Sequence, residues 1–200
     1  MNGRPRGTGG KAEELTTDEI RRIDKCLTGT RNKLRNRALL YLGLGSGMRI
    51  SEMIRLHIKD VAPKGRVKSR IVLEKHSTKS KKSRTVAVSK QAVKYLQEYI
   101  NDSKERPDPI APLFPSTRKP NKPMSETNAI VTLKKMFLAA GVENASSHSL
   151  RRTHANTLRR QGADLKVIQE QLGHSSLAVT ERYFSVDPLE VERAINGLKF

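Results

Sequence analysis

The chain has 200 residues, enough for one domain with its own core. Its 39 lysines and arginines against 20 aspartates and glutamates give a formal net charge of +19, spread along the whole length. That balance suits a protein that meets phosphate backbones and is unusual for a small-molecule enzyme.

Hydrophobic residues make up 36% of the chain and tryptophan is absent, so the expected core is aliphatic. The longest apolar run, Ala38 to Gly45, is far too short to span a bilayer. The opening MNGRPRGTGGK is polar and lacks the apolar stretch of a secretion signal. A single cysteine, Cys26, excludes an intramolecular disulfide and a cysteine-based zinc site. Together these point to the cytoplasm and away from membranes. Cys26, between Ile23 and Leu27, suits a small buried hydrophobe.

Residues 1 to 14 are expected to form a flexible basic tail, and residues 15 to 200 one domain. TTDEIRRIDKCL opens a helix, with Thr16 or Thr17 as cap, Asp18 and Glu19 at the positive end, and Ile20, Ile23 and Leu27 on one face. RNKLRNRALLYLGLGSG is a second helix, buried in its later turns and loosened at its end by Gly43, Gly45 and Gly47. RISEMIRLHIKDV starts helical and is expected to become extended at Ile58 to Val61.

VKSRIVLEK and SRTVAV are rich in β-branched residues and predict two strands around the polar tip HSTKSKK. SKQAVKYLQEYI is a helix capped by Ser89, and the prolines of NDSKERPDPIAP mark a loop. In SETNAIVTLKKMFLAAG, Ser125 caps a helix, Ile130, Leu133, Phe137 and Leu138 form its apolar face, and Gly141 ends it. SLRRTHANTLRRQG and DLKVIQEQLG are two more helices, each ending in glycine. PLEVERAINGL is the last, with Pro188 in its first turn. The fold class expected is mainly α with a small antiparallel β-sheet.

No phosphate-binding glycine loop and no HExxH occur. The histidines do not pair at metal-ligand spacing, and no acidic cluster is placed to hold two magnesium ions. A basic, phosphate-handling protein built this way must stabilise phosphoryl charge with arginine, lysine and histidine. Four places supply them. In GMRISE, Glu52 lies one helical turn from Arg49 and can orient its guanidinium, or the two form a plain surface pair. In STKSKKSR, Lys79 stands at the hairpin tip, as a reaching cation or as part of a solvated basic turn. In HSLRR, His148 and Arg151 share a helix start and can face an anion together, or His148 is a helix-start histidine bonded to backbone. In LGHSSLAVTERYF, Gly173 places His174 in a defined turn, and Tyr183 follows nine residues later. Taken singly, Tyr183 is an ordinary core aromatic.

Taken jointly and in this order, these residues resemble the tyrosine recombinase, or phage integrase, family, from about Leu15 to the end. GLGSGMRISEMIRL is similar to that family's first arginine box, TKSKKSRTVAV to its catalytic hairpin, HSLRRTHANTL to its His-x-x-Arg box, and LGHSSLAVTERYF to its Leu-Gly-His box and nucleophile.

The resemblance implies the catalytic-domain fold of DNA breaking–rejoining enzymes. It also implies Arg49 and Arg151 on the scissile phosphate, with Glu52 supporting Arg49. His148 would act as proton acceptor, Lys79 as proton donor to the 5′-oxygen and His174 as hydrogen-bond donor, with Tyr183 as nucleophile. It implies double-stranded DNA as partner, a monomer in solution and a homotetramer on paired sites, and no cofactor or metal. Lys82, Arg84, Arg152 and Arg159 are candidate phosphate contacts.

Family members usually carry an N-terminal helical domain that closes over DNA. Here only a short tail with Arg4, Arg6 and Lys11 precedes the first helix, and Met1 favours a stand-alone chain over a fragment. The last helix, with Leu189, Val191, Ala194, Ile195 and Leu198, suits docking on a neighbouring subunit or on its own core equally. Two other readings remain: a type IB topoisomerase, which uses a similar residue set, and a DNA-binding accessory protein without catalysis.

Overall fold

The computed structural model describes residues 12–74, 83–102, 108–181, 183, 184, 192, 195 and 196. It is mainly helical, with helices α1 (Thr17–Cys26), α2 (Lys33–Ser46), α3 (Ile50–Met53), α4 (Ile58–Val61), α5 (Lys90–Asn101), α6 (Glu126–Ala139), α7 (Ser147–Arg160), α8 (Leu165–Leu172) and α9 (Leu177–Glu181). Strands β1 (Arg70–Leu73) and β2 (Arg84–Ala87) pair antiparallel, with Leu73 opposite Arg84 and Arg70 opposite Ala87.

Helix α2 is the centre of the molecule. Ala38, Leu39, Leu40, Tyr41 and Leu42 are all buried, so it is enclosed on every side rather than on one stripe. It packs chiefly on α5 and α7. Leu96 and Ala92 of α5, Ile71 and Leu73 of β1, Phe114, and Leu133 and Phe137 of α6 complete the core. Its end is not loosened by glycine as expected. The helix continues through Gly43 and Gly45, whose missing side chains leave room for Leu150 of α7 and for Ser89 and Ala92 of α5.

The caps follow the expected chemistry. Thr16 and Glu19 form a reciprocal capping box on α1, and Ser89 and Ser125 cap α5 and α6. Leu15, just before α1, is buried and its N–H donates to Thr153 Oγ1 at 2.8 Å. Glu14 pairs with Arg160 and accepts from Asn156 at 2.7 Å, so the described start of the chain lies on α7.

Three local expectations are corrected. Ile58 to Val61 is a turn of helix, because the Asp60 carboxylate accepts the His57 N–H at 2.8 Å and caps it, which outweighs the β-branched residues. Cys26 is exposed; the stripe set by Ile20, Ile23 and Leu27 turns away from it, and its Sγ meets the Ala139 carbonyl at 3.4 Å. On α6 the buried set is Ala129, Leu133, Met136 and Phe137, while Ile130 and Leu138 face outward. The hairpin tip at 76–82, the tail residues Arg4, Arg6 and Lys11, and Leu189, Val191, Ala194 and Leu198 lie outside the described residues. Among the described residues no helix is long and apolar enough to cross a membrane.

Candidate active site

The site forms where the ends of α2 and α8 meet the starts of α3 and α7. Helix α2 ends at Gly47, whose φ of 64° is a left-handed cap that favours glycine. A Cβ there would also strike the His154 and Leu172 side chains, at 2.6 and 2.8 Å. This turn delivers Arg49 to the N-cap of α3 and Glu52 to its first turn.

Glu52 is 1% exposed, an expensive place for a carboxylate unless it is paired. Oε2 accepts the Arg49 N–H at 2.8 Å, and Oε1 accepts Arg49 Nη1 at 3.1 Å. Arg84, from the first residue of β2, forks onto the other side, with Nη1 to Oε1 at 3.0 Å and Nη2 to Oε2 at 3.1 Å. Burial alone would raise the Glu52 pKa. The hydrogen bonds and charges of Arg84 and Arg49 outweigh it and hold the group below its ordinary value.

Arg151 comes from α7 and is 2% exposed. Its Nη1 donates to the Gly47 carbonyl at 2.5 Å and its Nη2 to the Leu172 carbonyl at 2.6 Å. The Leu172 carbonyl is one of the unpaired acceptors at the negative end of α8, a natural seat for a cation. Burial first, and then the nearby Arg49, push the Arg151 pKa down to about 10, so it stays charged at neutral pH.

Gly173 caps α8 with φ of 64°, and a Cβ there would lie 2.4 Å from Arg84 Nε. This close packing turns the chain so that His174 enters the cluster. His174 is 8% exposed, and its Nδ1 lies 2.8 Å from Thr180 Oγ1 of α9. Burial, followed by Arg151, Arg49 and Arg84, holds its pKa down to about 3, so the ring is neutral. The Tyr183 ring lies 5.3 Å from that of His174, and its phenol is near enough to Arg151 to raise that group's pKa against the effect of burial. Tyr183 packs with Phe184 against a small core of Ala155, Ile168 and Leu172.

Arg49, Glu52, Arg151, His174 and Tyr183 are therefore brought together. His148 is exposed in the first turn of α7, one turn before Arg151, with its N–H on Ser146 Oγ at 3.3 Å. Lys79 and Lys82 lie outside the described residues. Arg84 turns its guanidinium inward onto Glu52 and Leu172. Arg152 donates to the Ala12 carbonyl at 3.3 Å, and Arg159 lies over the Phe184 ring at 5.1 Å.

Sequence reasoning did not single out Thr180 or Gln171. Gln171 Nε2 donates to the Ser46 and Ala87 carbonyls at 2.9 and 2.8 Å, and its Oε1 accepts the Ala87 N–H at 3.1 Å. It thereby ties α8 to β2 and to the end of α2. Neither residue carries a sequence signal: Gln171 acts through partners distant in the chain, and Thr180 through His174 across the turn that separates α8 from α9.

Arg49 and Arg84 share the Glu52 carboxylate, and Arg151 adds a third guanidinium beside a neutral imidazole, so the cluster keeps an excess of positive charge. Among the described residues, no three His, Cys, Asp or Glu side chains group as metal ligands. A cavity of about 840 Å³ borders the cluster, lined by Ser83, Arg84, Thr85, Gly173, His174 and Ser175 among others. The arrangement can hold an anion, with a phenol at its edge.

Comparison with known proteins places the site in a family context. The sequence model of the Phage integrase family matches residues 13–190. The chain is 29% identical over 187 residues to the tyrosine recombinase XerA of Pyrococcus horikoshii, covering 94% of this chain and 61% of that protein. It is 37% identical over 153 residues to the tyrosine recombinase XerC of Pelobacter propionicus, covering 76% and 48%. It therefore spans about half to three fifths of these relatives. Its fold is similar to a crystal structure of XerA recombinase, with a TM-score of 0.75 at 24% identity over 96% of this chain and 68% of the other. The Tn1549 transposon integrase, solved with circular intermediate DNA, gives a TM-score of 0.73 at 17% identity over 97% and 67%.

Proposed function

Because the chain belongs to the Phage integrase family, we propose that it cuts and rejoins DNA strands at a specific site through a covalent 3′-phosphotyrosine intermediate. The observation that carries this reading is the convergence of Arg49, Arg151, neutral His174 and the Tyr183 phenol in one positively charged cluster.

The steps follow from the chemistry of those groups. A phenol has an ordinary pKa of about 10, so it needs a proton acceptor to attack phosphorus at neutral pH. Tyr183 attacks the scissile phosphate; the new Tyr183 O–P bond forms and the P–O5′ bond breaks. The phenolic proton passes to His148, and Lys79 gives a proton to the departing 5′-oxygen. Arg49 and Arg151 stabilise the non-bridging oxygens, where charge builds in the transition state. With Thr180 Oγ1 donating to Nδ1, His174 keeps its proton on Nε2 and offers it to the same phosphate. The ester bond is conserved in the phosphotyrosine, so a 5′-hydroxyl from a second strand reverses the step without ATP or metal. A homotetramer on paired sites supplies that second strand, from monomers in the cytoplasm.

The test uses sheared genomic DNA from the organism that encodes the chain. After incubation and denaturation in detergent, DNA that stays bound to protein is captured and sequenced. The reading expects one enriched sequence class, retained when EDTA is present. Absence of any detergent-resistant adduct overturns it.

A further inference from the structure

One guanidinium joins three elements of the site and takes no part in the reaction sequence above. Arg84 begins β2, and its side chain is 13% exposed. Its fork fills both oxygens of Glu52 at 3.0 and 3.1 Å. Its Nη2 also lies 3.3 Å from the Leu172 carbonyl, the acceptor that receives Arg151 Nη2 at 2.6 Å. Its Nε is buried against Gly173, the residue before His174.

Glu52 meets the Arg49 side chain through a bond from Nη1. Its other oxygen accepts the Arg49 N–H at 2.8 Å, so Arg49 ties the carboxylate to the start of α3. The Arg84 fork meets the same two oxygens from β2, and its two parallel bonds fix the plane of the carboxylate from a second element. The plane of Glu52 in turn sets where Arg49 points. The same guanidinium, by sharing the Leu172 carbonyl, holds the seat of Arg151.

We infer that Arg84 is a positioning residue for strand cleavage: through Glu52 and the Leu172 carbonyl it fixes the orientation in which Arg49 and Arg151 meet the scissile phosphate. This rests on the function proposed above. Lysine cannot replace it, since a single ammonium keeps the charge but cannot fork.

The experiment uses a duplex carrying the site captured by the wild-type protein, nicked so that the short 5′-hydroxyl strand is lost after cleavage and the adduct accumulates. Single-turnover adduct formation is measured at saturating protein for wild type, Arg84→Lys and Arg49→Ala. A second duplex carries a methylphosphonate at the scissile position, which removes the charge that the arginines stabilise.

On the phosphodiester, Arg84→Lys is expected to slow the step by about tenfold to a hundredfold, the scale of a small misplacement of reacting groups, with Kd for the duplex little changed. On the methylphosphonate, Arg84→Lys and Arg49→Ala are both expected to come within about threefold of wild type, since the charge term is gone. Gly173→Ala, which crowds Arg84 Nε and keeps both charges, gives the same split and serves if Arg84→Lys does not fold. A rate equal to wild type on the phosphodiester, or an equal loss on both substrates as from loosened folding, overturns the inference alone. No adduct from the wild type overturns the proposed function and the inference with it.

Discussion

Nδ1 of His174 and Oγ1 of Thr180 lie 2.8 Å apart, with both side chains buried. The contact joins the turn after α8 to α9, the short helix that precedes Tyr183. Thr180→Val keeps the shape and removes the hydroxyl, leaving a buried ring nitrogen without its partner. The expected cost is about 1–2 kcal/mol, read from urea unfolding. Adduct formation should fall as well, because the ring loses the bond that fixes its tautomer. Thr180→Ser should restore both. An unchanged valine variant would remove Thr180 from the account.

Stability should depend on pH through the histidines. His174 has its pKa pushed down to about 3 in the folded state, and that of the half-buried His154 is lowered. The unfolded chain binds these protons near pH 6.5, whereas the folded chain does not. Stability is therefore full above about pH 6.5 and falls as the pH drops toward 3. Glu52, lowered from its ordinary 4.5, adds a further loss as the pH falls through its folded value. Urea midpoints at pH 7.5 and 5.5 test this: the wild type should be weaker at 5.5, and His174→Gln should narrow the gap. A midpoint independent of pH across that interval would contradict it.

Glu52→Gln should be among the more damaging single changes. It removes the charge that Arg49 and Arg84 share and leaves Arg84 confined beside a neutral amide. Removing one partner of a buried pair costs about 3–5 kcal/mol. A denaturation curve within about 1 kcal/mol of wild type would mean the pair is effectively solvated.

The periodic and capped elements were legible in the sequence. α1, α5 and α6 announced themselves through Thr16, Ser89 and Ser125, and the two strands through their β-branched runs. Ile58 to Val61 was misread because one side-chain bond from Asp60 outweighed β-branched composition. Which arginine does what was not legible. Arg84 and Arg152 look alike in the sequence as cations near motif residues, yet one is buried on Glu52 and the other bonds a backbone carbonyl at the chain's start. Long-range partners decide this, and local pattern carries none of them.

DNA affinity should fall steeply with salt. Neutralising about six phosphates implies a slope near −5 for log K against log salt. Fluorescence anisotropy with a labelled duplex between 50 and 300 mM salt measures it. A flat dependence would mean that the +19 net charge does not meet a phosphate backbone.

The central claim is that Tyr183 becomes covalently joined to DNA. The most direct measurement digests the detergent-resistant adduct with protease and nuclease and reads the modified peptide by mass spectrometry. The account predicts a nucleotide attached through its 3′-phosphate to the tyrosine between Arg182 and Phe184, and no adduct from Tyr183→Phe. A nucleotide on any other residue, or an adduct that survives Tyr183→Phe, would contradict it.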